Sequence, residues 1–193
     1  MQSFRNYVDA RQADLALVPG SFKPPHKGHY EMVKQYSSMA DSVVVLISSP
    51  SAKSTRKTKT GTVITPEIAK QIFDIYVSNL PNVTVEISPT PSPVGAAYDA
   101  LERLGGKRVM LGASIKDGDW KRWTAAVDYV EKKQLNVDVV DPESSAVNVV
   151  TKPDGTPYSA SNLRNNIDNP EMIAADIPDH VDPEQIISLL TSP

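Results

Sequence analysis

The chain has 193 residues, of which 40% are apolar and 22% charged, which is enough for one ordinary domain and short for two. Its formal net charge of −3 gives no overall attraction to nucleic acid or to an anionic membrane surface. The absence of cysteine excludes disulfides, thiol nucleophiles and thiolate metal sites, and leaves three histidines for imidazole chemistry.

Strand and helix patterns alternate through the first half of the chain. The apolar run 15–18 ends at Pro-Gly, which is typical of a buried strand followed by a tight turn. Thr65, Pro66 and Glu67 are typical of an N-cap, a first helical residue and an acidic first turn. In chain order this half predicts strands over 15–18, 42–48 and 82–88, and helices over 29–39, 66–80 and 94–104.

The same alternation continues through the second half. The run 108–111 ends at Gly112, as a strand entering a turn does, and Pro153-Asp154-Gly155 has the residues of a tight turn. This half predicts strands over 108–111, 137–140 and 147–150, and helices over 120–135, 159–167 and 183–190.

Alternating strands and helices at this spacing predict an α/β fold, a single Rossmann-like doubly wound parallel sheet with helices on both faces. We expect one domain over 1–193, with a core at about 13–168 and closing helices at about 169–193. In such sheets ligands bind at the carboxyl ends of the strands, so the functional residues should lie in the turns after strands.

The turn after the first strand runs from Gly20 to His29 and leads directly into a helix. Its spacing excludes both the Walker loop and the G-x-G-x-x-G loop. A glycine after the strand lets a ligand approach the backbone. His26 and His29, at i and i+3 near a helix N-terminus, can point the same way beside free backbone N–H groups. This turn therefore predicts a phosphate-binding site.

A second candidate phosphate site lies near the C-terminal end. Ser159 and Ser161 enter a predicted helix and offer hydroxyl and N–H groups to an anion, and Arg164 adds a two-pronged guanidinium one turn later. Trp120 and Trp123 share one predicted helical face, where they would either pack in the core or stack on a base.

A basic segment separates the second strand from the next helix. It contains Lys53, Arg56, Lys57 and Lys59, and no acidic residue occurs between Asp41 and Glu67. With little apolar anchorage, this segment is expected to be a mobile loop that gains order against a triphosphate. A merely solvated surface loop and a nucleic-acid contact are the alternatives.

The stretch GSFKPPHKGHY resembles the G-x-F-x-P-x-H-x-G-H signature of the HxGH nucleotidyltransferase superfamily. The matching positions are Gly20, Phe22, Pro24, His26, Gly28 and His29. The stretch 159–164, SASNLR, is similar to the superfamily's second motif. The stretch 110–114 with its two downstream tryptophans, and Ile177-Pro178 with Val181, resemble nicotinamide-mononucleotide adenylyltransferases.

This resemblance implies an enzyme that transfers a nucleotidyl group from a nucleoside triphosphate, with ATP preferred, to a small phosphorylated acceptor, with nicotinamide mononucleotide preferred. Pyrophosphate is released, and Mg²⁺ is carried with the triphosphate rather than held at a metal site of the protein. The alternatives are adenylyl transfer to phosphopantetheine or flavin mononucleotide, cytidylyl transfer to a phosphorylated alcohol or sugar, and a non-catalytic nucleotide-binding or assembly module.

The resemblance also implies roles for individual residues. The catalytic candidates are His26, His29, Arg164 and Lys23. The nucleotide-binding candidates are Gly20, Ser21, Phe22, Gly28, Gly112, Ser159 and Ser161, and the acceptor-binding candidates are Trp120 and Trp123. No run reaches the roughly 18 apolar residues of a membrane helix, and the N-terminus is charged, so we expect a cytoplasmic protein without nucleic-acid or membrane partners. A homo-oligomer is compatible with the sequence.

Overall fold

The computed structural model describes residues 12–49 and 55–191. Its strands are β1 (Ala13–Gly20), β2 (Ala40–Ser48), β3 (Arg56–Lys57), β4 (Val63–Ile64), β5 (Val83–Ser88), β6 (Lys107–Leu111) and β7 (Val137–Val139). Its helices are α1 (Lys27–Met39), α2 (Pro66–Tyr76), α3 (Pro93–Arg103), α4 (Thr124–Lys132), α5 (Ala160–Asn165), α6 (Pro170–Ala174) and α7 (Pro183–Thr191). A 3-10 segment over Lys116–Trp123 precedes α4.

Five of these strands form one parallel sheet in the order β5-β2-β1-β6-β7, and β3 and β4 form a separate antiparallel hairpin. The chain leaves β1 first toward β2 and later returns on the other side to β6. The connections after β1 and β6 therefore diverge and open a crevice at the carboxyl ends of these two strands. The predicted Rossmann-like fold is confirmed, and the crevice lies beside the turn that carries the two histidines.

The sheet is buried on both faces because consecutive side chains of a strand point to opposite sides. In β1, Ala16 and Val18 belong to the core cluster shared with α1, α2 and α7, while Leu15 and Leu17 belong to the cluster shared with α3 and α4. Helices therefore cover both faces, as the continuous apolar runs predict.

Three predicted elements differ from the structure. The helix expected over 120–135 is a 3-10 segment followed by the shorter α4, and α2 ends at Tyr76 rather than at residue 80. The strand expected over 147–150 is a single bridge between Ser114 and Val147. The ladder does not continue because the partner segment turns into the 3-10 segment at Lys116, where the Ile115 carbonyl accepts a hydrogen bond from the Gly118 N–H at 3.4 Å instead of from a strand.

Gly112 is the point of closest approach between β1 and the chain after β6. Its N–H donates to the Leu17 carbonyl at 2.7 Å, and a Cβ at this position would lie 3.0 Å from both the Leu17 oxygen and the Val18 Cα. Gly112 was expected to bind nucleotide. In the structure it packs against the backbone of β1, and the hydrogen bond to Leu17 keeps the two backbones close together.

We expect Gly112→Ala to lower the free energy of unfolding by about 1–3 kcal/mol, the usual cost of overpacking a closed core. Gly105→Ala is the matched control, because a Cβ there meets nothing within 4 Å and its backbone does not need a positive φ. It should change stability by less than about 1 kcal/mol. Urea denaturation of both variants measures the difference, and equal stabilities would show that the strands can separate at no cost.

Candidate active site

The turn after β1 is built around Phe22, which adopts a positive φ of 45° and is buried. Its ring packs edge-on against His29 at 5.0 Å and against Phe73 at 4.9 Å between centroids. A Cβ at Gly20 would lie 2.5 Å from this ring. Gly20 therefore leaves space for the Phe22 ring, and the Phe22 ring packs against the ring of His29.

The two histidines begin helix α1 and face each other. His26 is the N-cap, its backbone N–H donates to His29 Nδ1 at 3.2 Å, and the two rings stack with centroids 3.7 Å apart. A Cβ at Gly28 would lie 3.2 Å from the His26 ring and 3.3 Å from the Tyr158 ring, which explains the glycine between the histidines. Because His29 Nδ1 accepts a hydrogen bond, the neutral ring carries its one proton on Nε2, and this N–H can donate a hydrogen bond to a ligand.

Both imidazoles lie in surroundings that disfavour a charge. Burial lowers the pKa of His26 to about 4; the Asp176 carboxylate raises it and the Lys152 ammonium lowers it further. Burial, and then the neighbouring His26, lower the pKa of His29 well below its ordinary value. Nδ1 of His26 is buried without a hydrogen-bond partner among the described residues. At neutral pH the pair consists of uncharged rings with hydrogen-bonding capacity left for a ligand.

The lowered pKa values have a consequence for stability. The unfolded chain binds protons at these histidines below about pH 6.5, while folded His26 binds one only near pH 4. The contribution of His26 to the free energy of unfolding is therefore fully present above pH 6.5. It decreases as the pH falls toward 4, by up to about 1.4 kcal/mol per pH unit.

We expect His26→Asn to reduce this dependence of unfolding free energy on pH, because asparagine caps a helix well and does not titrate. Urea denaturation of both proteins between pH 7.5 and pH 4.5 measures the two slopes. Identical slopes would show that His26 is not held neutral by the fold.

Arg164 joins the serine-rich helix α5 to the histidine turn. One terminal nitrogen donates to the Lys23 carbonyl at 2.7 Å and the other to Ser161 Oγ at 2.7 Å. The Ser159 hydroxyl accepts from the Asn162 N–H, and the Ser159 N–H donates to Asp176 at 2.9 Å. The Ser159 amide expected to be free for an anion is therefore already used inside the protein, whereas Ser161 is exposed.

Cationic side chains gather where α5 meets the turn. Burial, and then the charge of Arg56, lower the pKa of both Lys23 and Arg164. Arg56 comes from the β3–β4 hairpin, which is fastened to α5 by a hydrogen bond from the Lys59 N–H to the Arg164 carbonyl at 3.0 Å. Like charges held close together are unfavourable unless an anion lies between them, so this cluster is suited to phosphates.

Part of the basic segment makes defined contacts with the rest of the protein. Residues 56–64 form the hairpin, Thr58 is buried, and Lys59 pairs with Asp168. The α5 backbone and Asp168 supply these residues with polar partners from distant parts of the chain, and the gain of order against a triphosphate stays a prediction. Lys53 lies outside the described residues.

A pocket of about 300 Å³ opens beside the histidines, in the crevice between β1 and β6. Its lining includes the expected residues Gly20, Ser21, Phe22, His26, Gly28 and His29. Asp119 and Arg122 also line it, and no pattern in the sequence indicated them. Asp119 accepts from the Ser114 N–H at 3.1 Å, and Arg122 donates to the Gly112 carbonyl at 2.8 Å. The lining therefore combines the uncharged imidazoles with the charged side chains of Asp119 and Arg122.

The two tryptophans do not line this pocket. Trp123 is fully buried in the core on the α3 and α4 face, and its Nε1–H donates to the Gly112 carbonyl at 3.1 Å. Its ring is therefore unavailable for stacking on an acceptor, which corrects our expectation. Trp120 is half-buried, with the Lys121 ammonium 5.8 Å from its ring centroid.

Within residues 12–49 and 55–191, no cluster of three or more His, Asp or Glu side chains could hold a metal ion. Among the helices of these same segments, none has the length and apolar character needed to cross a membrane.

Comparison with known proteins gives the family. Residues 17–166, which contain the crevice, both histidines and Arg164, match the Cytidylyltransferase-like family. The chain belongs to this family. A phosphopantetheine adenylyltransferase of Leuconostoc citreum is 30% identical over 115 residues, which are 59% of this cytidylyltransferase-like chain and 65% of that protein. Another, from Aquifex aeolicus, is 36% identical over 71 residues, 37% of this chain and 40% of its own length. The matches thus span less than two thirds of these relatives.

A solved structure shares the fold of this cytidylyltransferase-like chain. The bifunctional NMN adenylyltransferase/ADP ribose pyrophosphatase from Francisella tularensis aligns with a TM-score of 0.54 and 16% identity. The alignment covers 93% of this chain and 50% of that one. At this identity the comparison supports the shared fold alone.

Proposed function

We propose that this protein transfers an adenylyl group from ATP to a small phosphorylated acceptor and releases pyrophosphate. The observation that carries the proposal is the hydrogen bond from Arg164 to the Lys23 carbonyl, which brings the serine–arginine helix and the histidine turn together. Two separate sequence motifs that each suit phosphates thereby form one surface at the carboxyl end of the sheet.

In this reaction an acceptor phosphate oxygen attacks the α-phosphorus of ATP. A new P–O bond forms, the bond from the α-phosphorus to the bridging oxygen breaks, and that oxygen leaves with the pyrophosphate. No protein nucleophile is needed, so the protein contributes alignment and stabilisation of charge. His29 Nε2–H donates to the α-phosphate, and His26 completes this uncharged wall. Lys23, Ser161 and Arg164 hold the β- and γ-phosphates, which carry the negative charge of the leaving group.

Mg²⁺ enters with the triphosphate in this proposal. Mg²⁺ prefers hard oxygen ligands and retains several waters, so phosphate oxygens and water satisfy it without a set of protein carboxylates. The ion supplies additional neutralisation of the phosphate charge. Asp119 is the carboxylate in the pocket lining, and its Oδ2 already accepts from a backbone N–H.

Two acceptors have specific support. The motif pattern around His26 and Ser114 favours nicotinamide mononucleotide, although Trp123 does not contribute a stacking surface. The curated relatives are named phosphopantetheine adenylyltransferases, which favours phosphopantetheine. Both acceptors end in a phosphate monoester, so both fit the same attack on the α-phosphorus.

A pyrophosphate-release assay with ATP and Mg²⁺ tests the proposal, with each acceptor present in turn and CTP as the alternative donor. We expect acceptor-dependent release with one of the two acceptors and a product whose mass equals acceptor plus adenylate. His29→Asn supplies the inactive control. Nucleotide binding without release for any acceptor, including flavin mononucleotide and phosphorylated sugars or alcohols, would contradict an enzyme and support a binding module.

A further inference from the structure

Asp176 is a fully buried carboxylate that the proposed chemistry does not use. It lies between α6 and α7, outside both phosphate-binding motifs. Its Oδ1 accepts from the Ser159 N–H at 2.9 Å, and its Oδ2 accepts from the Lys152 ammonium at 2.9 Å and from the Asn162 side-chain amide. Its backbone carbonyl accepts from the Lys27 N–H at 2.7 Å.

Three of these four contacts lead to two different functional elements. Ser159 and Asn162 belong to the start of α5, the helix that carries Ser161 and Arg164. Lys27 is the first residue of α1 and follows His26 directly. One residue therefore holds the beginnings of both helices, and both oxygens of its carboxylate are occupied by donors of the protein.

We propose that Asp176 is a positioning residue that fixes the histidine turn and helix α5 at one separation, so that both bind the same triphosphate. This inference rests on the proposed function. The cost of burying a carboxylate is offset by its partners, and an ionised acceptor forms shorter and stronger hydrogen bonds than a neutral one. A neutral side chain in this place could not satisfy the Lys152 ammonium and both α5 donors.

The charge of Asp176 also affects the pKa of His26. His26 is faced by the Asp176 carboxylate, the Lys152 ammonium and the stacked His29 ring. The carboxylate raises the pKa of His26 and the ammonium lowers it. Removing each charge separately should therefore move the His26 pKa in opposite directions, an effect that a purely mechanical support would not produce.

The test compares Asp176→Asn with Asp179→Asn. Asp179 is an exposed carboxylate on the same segment that pairs with Lys27, so this control removes a nearby charge without touching the buried network. Three measurements are made: amide hydrogen exchange at Ser159, the NMR titration of the His26 imidazole, and affinity for a non-hydrolysable ATP analogue with Mg²⁺.

In Asp176→Asn we expect exchange at Ser159 to be at least about tenfold faster, the His26 pKa to be lower, and the analogue to bind about tenfold or more weakly. Lys152→Met should raise the His26 pKa, and Asp179→Asn should resemble the unmodified protein in all three measurements. A folded Asp176→Asn with unchanged exchange, titration and affinity would overturn the proposal.

If Asp176→Asn does not fold, Asn162→Ala and Lys152→Met replace it, because each removes one partner and keeps the carboxylate. Asn162→Ala should weaken analogue binding several-fold, and Lys152→Met should still raise the His26 pKa. The absence of both effects would overturn the proposal. If the unmodified protein binds no ATP analogue, the proposed function fails. The exchange and titration data then support or overturn the coupling independently.

Discussion

Replacement of His29 by alanine is expected to lower kcat by about 10²–10³, the usual cost of removing one donor aimed at charge that develops in the transition state. The Nδ1 atom of His29 accepts a hydrogen bond from the His26 N–H, so Nε2 carries the proton and would donate a hydrogen bond to the α-phosphate. The KM for ATP should change much less than kcat, because this contact strengthens as the reaction proceeds. Steady-state kinetics of pyrophosphate release measures both constants.

Two further variants separate catalysis from helix capping. His29→Asn retains an oxygen that can accept the His26 N–H and loses the distal donor, so it should be as inactive as alanine while keeping the stability of the unmodified protein. His180→Ala is the matched control. Its ring contacts the Tyr76 carbonyl at 3.0 Å, outside the pocket lining, and its removal should leave kcat within about twofold. Full activity of His29→Asn would remove His29 from the reaction.

Replacement of Arg164 by lysine is expected to reduce kcat/KM for ATP by about 10–100-fold, the equivalent of losing one or two hydrogen bonds to a charged group. The guanidinium reaches the Lys23 carbonyl and Ser161 Oγ simultaneously, and its remaining N–H groups can face a phosphate. An ammonium has the charge without this planar fork. The KM for the acceptor should remain nearly constant, because Arg164 does not line the pocket beside the histidines.

Arg103→Lys is the control for this substitution. Arg103 lies at the end of α3, is exposed, and pairs with Asp99 one turn away. Its replacement by lysine preserves such a surface pair and should not alter either Michaelis constant. Equal kinetics for Arg164→Lys and Arg103→Lys would show that Arg164 only braces the turn.

The sequence predicts the sheet well because its signals are local. The run 43–47 is apolar and mostly β-branched, which is typical of a strand buried on both faces. The histidine turn is equally local, since His26, Gly28 and His29 lie within four residues and their spacing alone brings the rings together.

What the sequence does not predict depends on distant partners. Asp176 meets Ser159 from 17 residues away and Lys27 from the far end of the chain, so no spacing rule indicates it. Asp119 and Arg122 reach the pocket because the segment before α4 winds as a 3-10 helix. The same winding directs the Trp123 side chain into the core. The i and i+3 spacing of Trp120 and Trp123 could not indicate which face of this segment is buried.

Because the two histidines are uncharged, the positive charge is distributed unevenly over the candidate site. Because burial lowers the pKa of His26 to about 4, the positive charge around the two phosphate-binding motifs comes from Lys23, Arg56 and Arg164, and that of the pocket lining comes from Arg122. Under the proposed function, a triphosphate entering this field would be oriented with its highly charged end toward the cations and its α-phosphate toward the imidazoles. Added salt should then weaken chiefly the binding of the β- and γ-phosphates, whereas the α-phosphate would be positioned by hydrogen bonds that salt screens little.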